Sequence, residues 1–176
     1  MRIVGGIYKG RVLCPFEKIG VRPTSDMARE SLFNILQNRI SGAKFLDLFS
    51  GTGAMGIEAL SRGAKLVAIN DYSRDAIALI KKNLQKLGIE NQVKVSLLDA
   101  LTFIGGSHEA FDIVYIDPPY ESDIYTRVLD SVSKILSEDG IVIVESEKPF
   151  DYDGNGLIKY DQRRYGRAHL SFYKKG

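Results

Sequence analysis

Residues 45–60 read FLDLFSGTGAMGIEAL. Phe45 to Phe49 are apolar but for Asp47, the length and character of a short buried strand. Ser50-Gly51-Thr52-Gly53 breaks that run, and Ala54 to Leu60 continues in helix-forming residues. Gly51, Gly53 and Gly56 give a G-x-G-x-x-G spacing across the junction, where glycine allows a tight turn and leaves a helix N-terminus open. Tight strand-to-helix turns use glycine with or without a ligand, so this stretch by itself establishes a strand–turn–helix unit.

The same alternation continues on the C-terminal side. The apolar runs KFLDLF, KLVAIN, KVSLL, FDIVYI and GIVIVES are separated by helical patterns such as SRDAIALIKKNLQKLG. In that segment Ala76, Ile77, Ile80, Leu84 and Leu87 share one helical face, and Gly88 ends it. Strand–helix alternation implies right-handed crossovers and a parallel sheet covered on both faces, a doubly wound α/β fold. Upstream, RIVGGIYKGRVL reads as a short glycine-broken hairpin. RPTSDMARESLFNIL then opens a helix, with N-cap oxygens on Thr24, Ser25 and Asp26 and an apolar side of Leu32, Phe33, Ile35 and Leu36. Downstream, LIKYDQRRY and AHLSFYKK turn around Gly166 as an antiparallel hairpin at the sheet edge. The expected division is an N-terminal extension over 1–24 and one α/β domain over 25–176.

With 176 residues, 44% hydrophobic and 26% charged, the chain suits one soluble domain with one sizeable core. It has no apolar stretch long enough for a bilayer and no signal-peptide core at MRIVGGIYKGR, so no membrane is expected. The single cysteine, Cys14, excludes an internal disulfide framework and fits a cytoplasmic location. His108 and His169 lie far apart with no Cys/His/Asp spacing around them, so no metal is expected. Net charge is +2, but the two ends are basic and the middle is not. A solvated surface and an anionic partner both account for that distribution.

Three acids close successive strands. Asp71 lies 20 residues beyond Gly51, the usual place for a carboxylate that accepts from ribose hydroxyls, which fits a nicotinamide dinucleotide and S-adenosyl-L-methionine equally. Asp47 separates them: a carboxylate before the turn repels a pyrophosphate and attracts an ammonium or sulfonium. Asp99 ends the third run, positioned for an adenine amino group. Asp47 and Asp99 each also suit a helix cap, and Asp71 a solvated loop. Their coincidence at the ends of successive strands, where open α/β sheets bind ligands, favours S-adenosylmethionine.

The fourth strand, FDIVYI, ends on Asp117-Pro118-Pro119-Tyr120. Neither proline can donate to a sheet ladder, and each fixes its own φ and restricts the residue before it. A stiff corner of this kind holds the Asp117 carboxylate and the Pro118 carbonyl in set directions, suited to accept both protons of an exocyclic amino group. Such acceptors free a lone pair otherwise delocalised into a base ring, and Tyr120 can stack on that ring. As a bare turn, Asp-Pro is ordinary; beside a glycine loop and an acidic rim it reads as a catalytic corner.

Asp47-Leu-Phe-Ser-Gly-Thr-Gly53 and Asp117-Pro-Pro-Tyr120 resemble the paired signatures of amino-methylating, Rossmann-like methyltransferases. RIVGGIYKGR, RPTSDMARESLFNIL, Val144–Glu147 (VESE) and RYGRAHLSFYKK resemble the bacterial 16S rRNA guanine-N2 methyltransferases of the RsmD type, which act on one guanine, guanine 966, of the small ribosomal subunit. The resemblance implies a seven-stranded, mostly parallel sheet ending in an antiparallel hairpin. It implies a methionine site at Asp47, Phe49, Ser50, Gly51, Thr52 and Gly53, a ribose site at Asp71 with Tyr72, and an adenine site at Asp99 with Ala100. Asp117, Pro118, Pro119 and Tyr120 would take the guanine. Relatives often have Glu-x-Asp after the second strand, where this chain has Asp71 and Ser73. The implied partner is 16S rRNA, in the small subunit or an assembly intermediate, met by a monomer through Arg2, Lys9, Arg11 and Arg22. Three rivals remain at this point: a DNA amino-methyltransferase, which usually carries a target-recognition domain this chain has no room for; a non-catalytic RNA-binding module; and a nicotinamide oxidoreductase, which Asp47 disfavours.

Overall fold

The computed structural model describes residues 1–15, 26–118, 122–154 and 156–176. After α1 (Asp26–Ile35), strand and helix alternate through β1 (Lys44–Asp47), α2 (Ala54–Ser61), β2 (Leu66–Asp71), α3 (Arg74–Leu87) and β3 (Val93–Leu97). The alternation runs on through α4 (Ala100–Gly106), β4 (Phe111–Ile116), α5 (Ser122–Val132) and β5 (Leu136–Ser146), and the hairpin β6 (Leu157–Tyr165)–β7 (Ala168–Lys175) follows. The strands form one seven-stranded sheet in the order β3-β2-β1-β4-β5-β7-β6. β1 to β5 are parallel, and β7 runs antiparallel between β5 and β6. Each apolar run named above is a strand, and Gly166 turns the hairpin at φ 64°.

Side chains alternate across the sheet, and the two faces bury different helices. Phe45, Val67, Ile69, Ile113, Tyr115, Ile141 and Ile143 point to the face packed by α1, α2 and α3. Leu46, Ala68, Val114, Ile116, Val142 and Val144 point to the other, under α4 and α5. The doubly wound architecture follows from strands that are apolar on both sides. In α3, Ala76, Ile77, Ile80 and Leu84 are buried, and Gly88 terminates the helix at φ 70°. Ser73 is its N-cap, its hydroxyl accepting from the Ala76 N–H at 3.3 Å. Ser73 therefore starts this helix with a neutral cap.

One expectation for α1 is corrected. Leu32, Phe33 and Leu36 are buried, Phe33 lying 6.0 Å from Phe45 between ring centroids, but Ile35 is 40% exposed. The apolar stripe follows 32, 33 and 36, and position 35 falls outside it at 100° per residue. Thr24 and Ser25 lie outside the described residues. Asp26 opens α1, and its carboxylate accepts from Arg29 at 2.8 Å.

Residues 1–15 are tied into the same core. Arg2 and Val12 form an antiparallel bridge, the short hairpin expected, and Ile3 and Leu13 are buried with the α1–α3 face. Polar anchors fix it to α2 and α3. Glu58, fully buried, accepts from the Val4 N–H at 2.9 Å and from Arg62 at 2.7 Å, with Arg29 alongside at 3.7 Å. Asn83 accepts from the Cys14 N–H at 2.7 Å. Gly6 sits with φ 73° against the Ser61 carbonyl, so close that a Cβ there would overlap it at 1.8 Å.

Candidate active site

The strand order reverses between β1 and β4, so the helices after these strands leave to opposite faces and open a crevice at their C-terminal ends. Acids line that edge: Asp47 ends β1, Asp71 ends β2, Asp99 follows β3, Asp117 follows β4 and Glu145 lies near the end of β5.

Asp47 is buried, and its Oδ2 accepts from the Gly56 N–H at 3.0 Å, bracing the first turn of α2. Its Oδ1 is buried without a hydrogen-bond partner among the described residues. Burial pushes this carboxyl up from 3.8 to about 7, against the pull of the Gly56 N–H and the Ser50 hydroxyl, with Asp71 adding repulsion. An unsatisfied buried acceptor is costly, and here it stands beside a glycine turn. Gly51 has φ 53° with open space where a side chain would project, and Gly53 caps α2 at φ 76°. Gly56 is needed for packing, since a Cβ there would lie 2.6 Å from Ile69 Cγ1.

The remaining loop side chains mostly hold the loop. Ser50 donates to the Asp47 and Asn70 carbonyls at 2.6 and 3.0 Å, and Thr52 donates to Met1 Sδ at 3.7 Å. Asp71 accepts from the Gly51 N–H at 2.9 Å and the Ser73 N–H at 2.8 Å, so it ties the glycine loop to the start of α3. Each carboxylate oxygen keeps a second lone pair for a ligand hydroxyl. Phe49 packs against the α4–α5 core, and Tyr72 is 64% exposed. Asp99 caps α4, accepting from the Thr102 N–H at 3.0 Å and from its hydroxyl. That hydroxyl chiefly holds the Asp99 carboxyl below its usual range. Asp99 thus has the cap role that its sequence position allowed, in a carboxylate that still faces solvent; Ala100 beside it is buried.

Asp117 lies on the same side of the sheet as Asp47, two residues past Tyr115 as Asp47 is two past Phe45. Burial pushes its carboxyl well above the usual range, and Glu145 and then Asp47 push it further. Pro118 is buried; Pro119 and Tyr120 lie outside the described residues.

The profile of the family described as conserved hypothetical protein 95 matches residues 1–174. The chain belongs to this family. Among its relatives, Bacillus subtilis YlbH, assigned as an rRNA methyltransferase, is 32% identical over 99% of both chains. The Haemophilus influenzae ribosomal RNA small subunit methyltransferase D is 34% identical over 84% of this chain and 79% of its own. The solved structure of Escherichia coli yhhF, assigned as a methyltransferase, superposes with a TM-score of 0.86 at 28% identity, covering 99% of this chain and 97% of that one. The resemblance read from the sequence and the seven-stranded fold thus agree with the family.

Of the basic residues expected to meet RNA, Arg2, Lys9 and Arg11 are exposed on the N-terminal hairpin, Arg2 lying 3.7 Å from Asp26. Arg22 lies outside the described residues. Glu145 is the acid that sequence reading passed over. In GIVIVES it looks like the polar end of an apolar strand, and only the register beside Asp117 marks it out. No described helix is long and apolar enough to cross a membrane.

Proposed function

We propose that this protein transfers a methyl group from S-adenosyl-L-methionine to the exocyclic N2 of a guanine in small-subunit rRNA, the position its family resemblance names as guanine 966 of 16S rRNA. The observation that carries the reading is one pair of acids: a buried Asp47 oxygen without a partner among the described residues, beside an open glycine turn, and Asp117 on the same face one strand away. Asp47 suits the ammonium of the methionine moiety, Gly51 and Gly53 give it backbone room, and Asp71 and Asp99 offer acceptors for ribose and adenine. When bound, S-adenosylmethionine supplies a methyl group made electrophilic by its sulfonium. A dinucleotide pyrophosphate fits this pocket poorly, because Asp47 and Asp71 would face its negative charge at close range.

Asp117 accepts a hydrogen bond from the guanine amino group and holds it so that its lone pair turns away from the ring. Ionised, the carboxylate also takes the proton that the amino group sheds as it is alkylated, so no stronger base is required. The small-subunit rRNA methyltransferase D relatives support the RNA class. The test is transfer of labelled methyl to small subunits lacking the modification, alongside tRNA and duplex DNA, read by nucleoside mass spectrometry. N2-methylguanosine in 16S rRNA is expected; label in DNA or tRNA alone overturns the substrate, and cofactor binding without transfer leaves a binding module.

The exposed hairpin carries the second expectation. Ile3 and Leu13 belong to the core, so deleting the N-terminus would damage the fold and test nothing else. Replacing Lys9 and Arg11 with serine leaves the fold intact and removes two phosphate contacts. Cofactor affinity stays unchanged, KM for subunits rises about tenfold, and the salt dependence of binding becomes shallower by about two contacts. An unchanged salt slope would make the hairpin merely structural.

A further inference from the structure

Glu145 has company that a strand-end glutamate does not need. Ile116 pairs with Val144 in parallel register, so one step further Asp117 and Glu145 lie side by side at the ends of β4 and β5. Both belong to the face that carries Tyr115, Ile143 and Phe45, which is also the face of Asp47. The Tyr115 hydroxyl, buried beneath the crevice, donates to Glu145 Oε2, and the Tyr125 hydroxyl donates to the Glu145 carbonyl at 3.2 Å. Two tyrosines from different elements thus fix the backbone and the carboxylate of one residue. Glu145 is half-buried near the end of β5, beside Asp117.

Two carboxylates set side by side repel, and a fold keeps such a pair where something with adjacent donors bridges them. Burial together with the Glu145 charge accounts for much of the upward push on Asp117. Among the bases, guanine presents neighbouring donors on its pairing edge, N1–H beside the N2 amino group. Adenine and cytosine present a ring acceptor beside their amino group, which would face a carboxylate lone pair to lone pair. We infer that Glu145 is the specificity-determining residue of this site: it accepts the N1–H of the target guanine while Asp117 accepts from N2. This rests on the methyltransferase reading proposed above and assigns its base selectivity to one side chain. Tyr115 is its positioning residue, holding the carboxylate toward the crevice.

The test compares small subunits assembled on 16S rRNA whose target guanine is retained or replaced, by splinted ligation, with 2,6-diaminopurine. That base keeps the 2-amino group but carries a ring acceptor at N1. The wild-type protein prefers guanine by tenfold to a hundredfold in kcat/KM, the worth of one charge-assisted hydrogen bond. Glu145→Gln, whose amide still accepts from Tyr115 and whose N–H can serve the acceptor at N1, loses most of that preference by losing guanine and gaining diaminopurine. Its S-adenosylmethionine affinity stays at the wild-type value, which separates a lost contact from a lost fold. Glu145→Asp keeps the guanine preference at reduced kcat/KM, and carries the test if the glutamine variant does not fold. Equal losses on both bases in Glu145→Gln, or a lost preference in Glu145→Asp, overturn the role of Glu145 and leave the enzyme reading standing. A wild-type protein that marks neither base, or marks another atom, overturns the reading beneath it.

Discussion

Asp47→Asn makes the protein more stable near neutral pH and weakens its hold on the cofactor. The asparagine carbonyl still accepts from the Gly56 N–H, so the first turn of α2 keeps its brace. What disappears is a buried negative charge. The Asp47 carboxyl moves from 3.8 to about 7 on folding, so the native state binds the extra proton between those values and folding loses stability as pH rises through that window. At 1.36 kcal/mol per unit the ionised side chain costs the wild type at most about 4 kcal/mol above pH 7, and nothing below about pH 4. Urea unfolding of Asp47→Asn therefore shows a gain of roughly 2–4 kcal/mol at about pH 8 that vanishes at about pH 4. A gain that is the same at both would point to packing.

The same substitution removes the acceptor whose second oxygen has no partner among the described residues, beside the glycine turn. Losing a charge-assisted hydrogen bond to the methionine ammonium weakens S-adenosylmethionine binding by roughly tenfold to a hundredfold. A bound cation holds the carboxylate ionised, so wild-type affinity falls as pH drops below about 7, approaching tenfold per unit, while Asp47→Asn shows no such slope. Calorimetric titration between about pH 5.5 and 7 reads both at once. Wild-type affinity flat across that range would mean that Asp47 is a structural brace and that the ammonium sits elsewhere. On the proposed reading, instability and binding are two faces of one arrangement: an acid with no counter-charge among the described residues until the ligand brings one.

This helps to explain how far sequence alone could be read. The strands were legible because a parallel sheet covered on both sides writes unbroken apolar runs, and KFLDLF or FDIVYI admit few other structures. The glycine turn was legible because Gly56 packs against Ile69 and Gly51 and Gly53 need positive φ, constraints that leave glycine at fixed spacing. Ile35 was misassigned because helical periodicity was counted from four apolar residues, and the packing of Phe33 on Phe45 selects only three of them. The cap that Asp99 forms on Thr102 is one its sequence position allows, but the hydrogen bonds from Gly51 and Ser73 to Asp71 are local geometry that a strand-end position does not disclose. Glu145, inside the VESE stretch, carries no role in the sequence for a plainer reason. Its significance lies in a neighbour 28 residues away, and only the β4–β5 register brings it beside Asp117.

Asp117→Ala abolishes methyl transfer while leaving the cofactor bound. The alanine presents no acceptor to the guanine amino group, so the lone pair stays in the ring and the shed proton has no nearby taker; kcat/KM falls by about 10³, the range for a positioned acid–base group. Affinity for S-adenosylmethionine is expected not to fall, because the proposed reading gives the ammonium to Asp47. The titration of Asp47 stays where it is, because burial, the Gly56 N–H, the Ser50 hydroxyl and Asp71 set it. The cofactor's pH slope is thus the same as in the wild type, which general damage to the fold would not leave intact. Asp117→Asn sharpens the assignment. The amide keeps one acceptor but no ionisable group, so about a hundredth of the activity remains and the acid limb of the pH–rate profile disappears. In the wild type that limb reflects a carboxyl held well above its ordinary range by burial, Glu145 and Asp47, with transfer rising as pH climbs through it. Were Asp117→Asn to retain the acid limb, the titrating group would be another acid of the rim, and the corner formed by Asp117 and Pro118 would be positioning the base without taking its proton.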